Sequence, residues 1–166
     1  AFTHFAGRLR MQLAYTVWFP ARPAGHDFDL LAGRLDGLVW RVTLDEDGTP
    51  LVYDSIHACG CYHLFFPTDA VAARPAPRSL DEGLFAPQAA PRLQAGERIV
   101  LRIAARTHDL QRLTVGAAAD PRASGYVLLD ERRLLVLPWP GGGTRSAYDA
   151  AGFVPGTERA ERWLFW

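Results

Sequence analysis

The sequence predicts an all-β fold, a single antiparallel β-sandwich or barrel-like domain over residues 1–166 with one long proline-rich loop and little helix. Hydrophobic residues recur mostly with a period of two, which indicates half-buried strands. Glycine, proline and acidic residues separate these runs at short intervals, as in sandwiches and barrels. No stretch of ten residues has the periodicity of an amphipathic helix. Five tryptophans and nine phenylalanines provide apolar area for a core between strands.

The N-terminal third is predicted to form a long strand followed by a hairpin. Residues 9–19 alternate apolar with more polar side chains, and Pro20 ends the run. Residues 38–44 and 51–57 are rich in β-branched and aromatic side chains, and they flank the dipeptide Asp47-Gly48. A turn that carries Asp-Gly between two such runs is the strongest short-range signal for a β-hairpin.

The remainder of the chain is predicted to contain a long surface loop and two further hairpins. Prolines recur through residues 67–91, which favours a loop, with a short helical turn at 79–82. Residues 98–106 place their apolar side chains on one face, and residues 109–115 are the expected antiparallel partner. The last predicted elements are a hairpin of residues 126–129 with 133–137 and a helical turn at 157–162.

The composition excludes several kinds of chemistry. All 18 basic residues are arginine, balanced by 18 acidic residues, and the chain contains no lysine and no asparagine. Schiff-base and pyridoxal-phosphate enzymes need a lysine amine, and a Walker A nucleotide site needs Gly-Lys-Ser/Thr. The absence of asparagine excludes an acceptor for N-glycosylation. A net charge of zero predicts that nucleic acid is not a partner, since neutralising phosphates requires a basic excess.

The composition and the chain ends suggest an origin. Abundant alanine, arginine, glycine and proline without lysine or asparagine indicate a GC-rich bacterial genome. No apolar run reaches the roughly 18–20 residues that span a bilayer, so no transmembrane segment is expected. The chain begins at Ala1 without methionine and ends on the aromatic tail, residues 163–166. We therefore expect the sequence to be a processed or truncated part of a larger chain. Its expected location is periplasmic or secreted, with the cytoplasm as the alternative. The aromatic tail is expected to contact another protein chain or a further domain.

One segment concentrates the residues that carry chemistry. Both cysteines and two of the five histidines lie in the pattern His-x-Cys-x-Cys-x-His, formed by His57, Cys59, Cys61 and His63. Imidazole nitrogen and thiolate sulfur are the donors that Zn²⁺ and Cu⁺ prefer. The sequence therefore predicts a copper or zinc site at these four residues, with a structural, trafficking or catalytic role left open.

The spacing sets a condition on this site. On a regular strand all four side chains share a face, but His57 and His63 would then lie roughly 20 Å apart, at about 3.3 Å per residue. One ion with bonds of about 2.0–2.3 Å cannot reach both. A four-donor site therefore requires the chain to fold back, and Gly60 permits this because glycine adopts positive φ freely. An extended segment would need a donor from elsewhere, with His4, His26, His108 and Asp54 as candidates.

Three alternatives to the metal site stay open. A Cys59–Cys61 disulfide would close a small, strained and easily reduced ring, which predicts a thiol redox protein. The two thiols would otherwise pack as small hydrophobic groups. The third alternative is a non-catalytic binding or assembly module. Its binding surface would consist of the aromatic tail, the loop at 67–91 and the arginine row, which we define as Arg98, Arg102 and Arg106.

Overall fold

The computed structural model describes residues 1–72, 84–122 and 124–160. A short 3-10 helix spans Glu131–Leu135. Every strand pair is antiparallel, so the all-β prediction is confirmed, in the form of open sheets rather than a closed barrel. The strands are β1 (Phe2–Phe5), β2 (Arg8–Phe19), β3 (Asp36–Leu44), β4 (Pro50–His57), β5 (Leu64–Pro67), β6 (Glu97–Ile103), β7 (Leu110–Ala117), β8 (Leu137–Pro138) and β9 (Thr144–Arg145).

Strands β1 to β5 form one sheet in chain order, while β6–β7 and β8–β9 form two-stranded sheets. In the large sheet Trp40 lies opposite Tyr15 on β2 and opposite Ser55 on β4. Side chains alternate between faces along a strand, so Trp40, Tyr15, Ser55 and every second residue from them along their strands share one face. We call this the inner face. Arg41 and Asp54 pair with each other next to the Trp40–Ser55 pair, so their side chains lie on the opposite, outer face.

The β6–β7 hairpin packs on the inner face and completes the core. The buried side chains of Trp40, Tyr53 and Phe66 form an aromatic group, with ring centroids 5.4 and 5.7 Å from Trp40. Leu110 and Leu113 of β7 belong to the same cluster. The hairpin thus supplies the second layer of an open two-layer arrangement, which buries the part of the inner face formed by β3, β4 and β5.

The described part of the proline-rich loop links the two layers. Phe65 donates its backbone N–H to the carbonyl of Phe85 at 2.9 Å, so the segment after residue 83 runs beside β5. The Gln88 side chain then exchanges two hydrogen bonds with the backbone of Leu113, each 3.1 Å. The helical turn predicted at 79–82 lies outside the described residues.

The elements predicted in the N-terminal and central parts of the chain are confirmed. Residues 9–19 belong to β2, and the Asp-Gly hairpin is β3 and β4. Residues 98–106 and 109–115 correspond to β6 and β7, although β6 ends at Ile103.

The hairpin predicted at 126–129 and 133–137 is wrong. Asp130 caps a 3-10 helix instead: its side chain accepts from the N–H of Arg132, and its carbonyl accepts from Arg133 at 2.9 Å. Aspartate competes for nearby backbone N–H groups in this way, which favours a helical start over a strand turn. Leu137 pairs with Arg145 rather than with residues 126–129. Residues 157–160 of the predicted C-terminal turn are not helical, and the rest of it lies outside the described residues.

Candidate functional site

The β4–β5 turn follows β4 directly and reverses the chain. The N–H of His57 donates to the carbonyl of Cys61 at 3.0 Å, and the N–H of Gly60 donates to the carbonyl of His57 at 2.8 Å. Gly60 has φ +92° and Tyr62 has φ +53°. Positive φ suits glycine because it has no Cβ. The reversal that a compact donor cluster needs is therefore present where the sequence predicted it.

His57 ends β4 on the inner face, where its side chain is 2 % exposed. Its Nε2 is buried and has no hydrogen-bond partner, and the same is true of Oδ1 of Asp109. These two atoms are 3.7 Å apart. Burial lowers the pKa of His57 below its usual value, although Asp36 and Asp109 act in the opposite direction. The imidazole is therefore neutral at neutral pH, and a neutral imidazole has one unprotonated ring nitrogen that can accept a hydrogen bond or bind a metal ion.

A buried ion cluster lies beside His57 at the same end of the sheet. Asp36, whose side chain is 1 % exposed, accepts from Nδ1 of His108 at 2.6 Å and from Nη2 of Arg159 at 2.9 Å. Arg159 also donates to the carbonyl of Leu35 at 2.7 Å. The His108 ring stacks on Phe19, with centroids 3.8 Å apart and planes 2° apart. These contacts join β2, β3, the β6–β7 turn and residues 157–160.

His63, the last residue of the predicted metal motif, lies apart from His57. Its Nε2 is 3.0 Å from Oδ1 of Asp54 and 2.9 Å from Nη2 of Arg41. Asp54 and Arg41 also form a salt bridge with each other. Both belong to the outer face, so the two histidines of the motif are directed to opposite sides of the sheet. Asp54 was one of the candidate extra donors, but the guanidinium of Arg41 disfavours a cation beside it.

Cys59 and Cys61 lie in the β4–β5 turn, and the structure holds both as thiols that are partly exposed. Within residues 1–72, 84–122 and 124–160, no group of three or more His, Cys, Asp or Glu side chains is arranged to hold a metal ion. The turn thus brings His57, Cys59 and Cys61 into one short segment without placing their donor atoms around a common point.

Sequence reasoning did not identify Asp36, Asp109 or Arg159 as parts of this site. Asp36 and His108 are 72 residues apart, and Asp36 and Arg159 are 123 apart. No local pattern reports such contacts. The one available signal is Asp36 itself, a charged residue at the start of the largely apolar strand β3, because buried aspartate side chains are rare unless paired.

The arginine row does not form a continuous basic strip. Arg98 pairs with Asp120 at 3.2 Å, and Arg102 is exposed on β6. Arg106 follows the end of β6 and donates to the carbonyl of Ala24 at 3.0 Å. The aromatic tail at 163–166 lies outside the described residues.

A different apolar surface is exposed. Tyr126 hydrogen-bonds Tyr15 through the two hydroxyls, 3.3 Å apart, and so attaches the surface to β2. The neighbouring groove, about 330 Å³ in volume, is lined by Trp139, by nearby prolines and by Arg145, whose guanidinium lies 4.9 Å from the Trp139 ring. The exposed apolar residues of this region are 37 % to 82 % exposed, and we call them the 126–139 surface. They are Tyr126, Val127, Leu128, Leu129, Leu134, Leu135, Val136, Leu137 and Trp139.

Comparison with known proteins gives no relative. No protein-family model, no curated protein and no solved structure matches this chain. In the described part of the chain, no helix has the length and apolar character needed to cross a membrane.

Proposed function

We propose that this chain binds one transition-metal ion, zinc or copper, at the β4–β5 turn through the imidazole of His57 and the thiolates of Cys59 and Cys61. One observation carries this: the Nε2 atom of His57 is buried and unpartnered in the segment that contains both cysteines of the chain. Buried polar atoms are almost always bonded to a partner, and coordination of a metal ion would supply one for this nitrogen.

The protonation state of His57 supports this assignment. A metal ion binds neutral imidazole, and proton loss usually lowers affinity at acidic pH. Because burial lowers the pKa of His57, the ligand form needs no further deprotonation at neutral pH. The cysteines are partly exposed, and ion binding requires their thiols to rotate toward Nε2 of His57.

His63 does not belong to the proposed donor set, although the motif includes it. Its Nε2 already contacts Asp54 and Arg41 on the outer face. Moving it to His57 would break both contacts and leave the buried carboxylate of Asp54 with one partner fewer. Three donors from one turn therefore replace the four donors of the sequence prediction.

Metal titration of the chain tests the proposal. Protein purified without a metal-affinity tag and stripped of metal is titrated with Zn²⁺ and, under reducing conditions, with Cu⁺. We expect one equivalent to bind, and we expect His57→Gln, Cys59→Ser and Cys61→Ser each to weaken binding by at least about tenfold. His63→Gln and the exposed His4→Gln are controls that retain affinity. Failure of the wild-type chain to take up either ion would disprove the proposal.

The turn conformation gives a separate prediction. Gly60→Ala places an L-residue at φ +92°, which costs roughly 1–2 kcal/mol of stability and disturbs the turn that carries the thiols. Gly48→Ala is a matched control, because Gly48 has φ +87° in the β3–β4 turn and both glycines have open space around them. We expect similar losses of stability by denaturant unfolding, but weaker metal binding only for Gly60→Ala. Equal metal affinities would show that the turn does not organise the donors.

Protein docking is a second candidate function, favoured by the 126–139 surface. Large contiguous apolar patches on soluble proteins mark interaction sites. The side chains of Val127 and Leu129 are 82 % and 70 % exposed, so they contribute little to the core. We expect the double substitution Val127→Ser, Leu129→Ser to leave the melting temperature within about 2 °C of wild type and to reduce binding of an apolar fluorescent dye. A large loss of stability would show instead that these residues are packed within the chain.

A further inference from the structure

We infer that Asp109 is a further donor to the ion at the β4–β5 turn and that the ion is Zn²⁺. The ion would join the β4–β5 turn to the β6–β7 turn at one end of the two-layer arrangement. This assignment rests on the proposed metal-binding function. It adds an oxygen donor that the sequence motif does not contain.

The first support is the distance of 3.7 Å between Nε2 of His57 and Oδ1 of Asp109. A hydrogen bond between nitrogen and oxygen is about 2.7–3.2 Å long, so the two atoms are too far apart to bond directly. Both atoms are buried without any hydrogen-bond partner. Two buried atoms at this distance, neither of them hydrogen-bonded, can both bond to a third atom that lies to one side of the line between them.

The same distance favours a metal ion over a bridging water molecule. A water that makes two hydrogen bonds of about 2.8 Å at a near-tetrahedral angle holds its partners about 4.5 Å apart. A tetrahedral zinc ion, with bonds of about 2.0–2.2 Å to nitrogen and oxygen, holds them about 3.4 Å apart. The observed separation is much closer to the second value.

The backbone around Asp109 fixes the position of this donor. The N–H of Ala104 donates to the carbonyl of Asp109 at 3.0 Å, and the N–H of His108 donates to the carbonyl of Ala104 at 3.1 Å. His108 has φ +58°, stacks on Phe19 and donates to Asp36. A non-glycine residue held in this uncommon conformation by its neighbours orients the residue that follows it.

The donor set and the local charge select the ion. Two thiolates, one imidazole and one carboxylate suit Zn²⁺, whereas Cu⁺ prefers soft sulfur ligands and gains little from carboxylate oxygen. Two thiolates, one carboxylate and Zn²⁺ together carry one negative charge. The positive charge of Arg22, which is buried, acts on His57 and offsets that negative charge.

Four protein donors would leave no open position on the ion, which is typical of structural zinc sites. Three of them, His57, Cys59 and Cys61, would come from the end of β4 and the β4–β5 turn, whereas Asp109 directly precedes β7. Bound zinc would therefore link the layers and raise the melting temperature, because a ligand specific for the folded state stabilises it.

Replacing Asp109 tests this inference. Zn²⁺ and Cu⁺ affinities are measured for wild type, Asp109→Asn and Asp109→Glu, with Asp47→Asn in the exposed β3–β4 turn as the control. We expect Asp109→Asn to weaken Zn²⁺ binding about 10–100-fold, to leave Cu⁺ binding unchanged, and to reduce the rise in melting temperature on adding Zn²⁺. Asp109→Glu retains an oxygen donor and should recover part of the affinity.

The possible results separate this inference from the proposed function. If wild type binds Zn²⁺ and Asp109→Asn binds it equally well, Asp109 is not a donor, but the metal site stands. If wild type binds Cu⁺ and not Zn²⁺, the choice of ion is wrong and the metal site again stands. If wild type binds neither ion, both are overturned. The melting temperatures of the metal-free variants show whether each one folds.

Discussion

Arg159→Ala is expected to lower the free energy of unfolding by about 3–5 kcal/mol, the usual cost of removing one partner from a buried ion pair. Arg159 and Asp36 have side chains that are 2 % and 1 % exposed. Without the guanidinium, the carboxylate of Asp36 keeps His108 as its remaining partner, and the carbonyl of Leu35 loses its donor. Denaturant unfolding followed by circular dichroism measures the loss.

The matched control is Arg122→Ala. The Arg122 side chain is 89 % exposed in its salt bridge with Asp120, and exposed pairs contribute about 0–1 kcal/mol. Similar stabilities for the two variants would mean that residues 157–160 are not attached to the sheet through Asp36.

Phe66→Ala is expected to cost about 3–5 kcal/mol, as large-to-small changes of aromatic residues in cores do. Phe66 is 2 % exposed and lies against Trp40 in the centre of the core. The loss comes from the apolar area returned to water and from the cavity left beside Trp40. Phe28→Ala is the control, because Phe28 is 74 % exposed and its loss should change stability by less than about 0.5 kcal/mol. A small effect at Phe66 would contradict the packing of β6–β7 on the inner face.

Local signals in the sequence predict most of the fold. The alternation in β2 and the Asp-Gly turn between β3 and β4 depend on neighbouring residues, and both are found where expected. The failure at residues 126–137 is also local in origin. Apolar residues favoured strands there, but the hydrogen bonds that Asp130 accepts from backbone N–H groups stabilise the 3-10 helix Glu131–Leu135 instead.

The candidate site is predictable only in part. The sequence indicates His57, the two cysteines and the reversal at Gly60, because these lie within one short segment. It does not indicate that His57 and His63 face opposite sides of the sheet, since that depends on where β4 ends. Nor does it indicate Asp109, because the approach of the β6–β7 turn to His57 follows from the packing of two layers rather than from any motif.

The most direct test of the metal site is X-ray absorption at the zinc edge on the zinc-loaded wild-type chain. The spectrum reports the elements around the ion and their distances. We predict two sulfur atoms at about 2.3 Å, from Cys59 and Cys61, and two nitrogen or oxygen atoms at about 2.0–2.2 Å, from His57 and Asp109. A coordination shell of nitrogen and oxygen without sulfur would contradict the assignment of the ion to the β4–β5 turn.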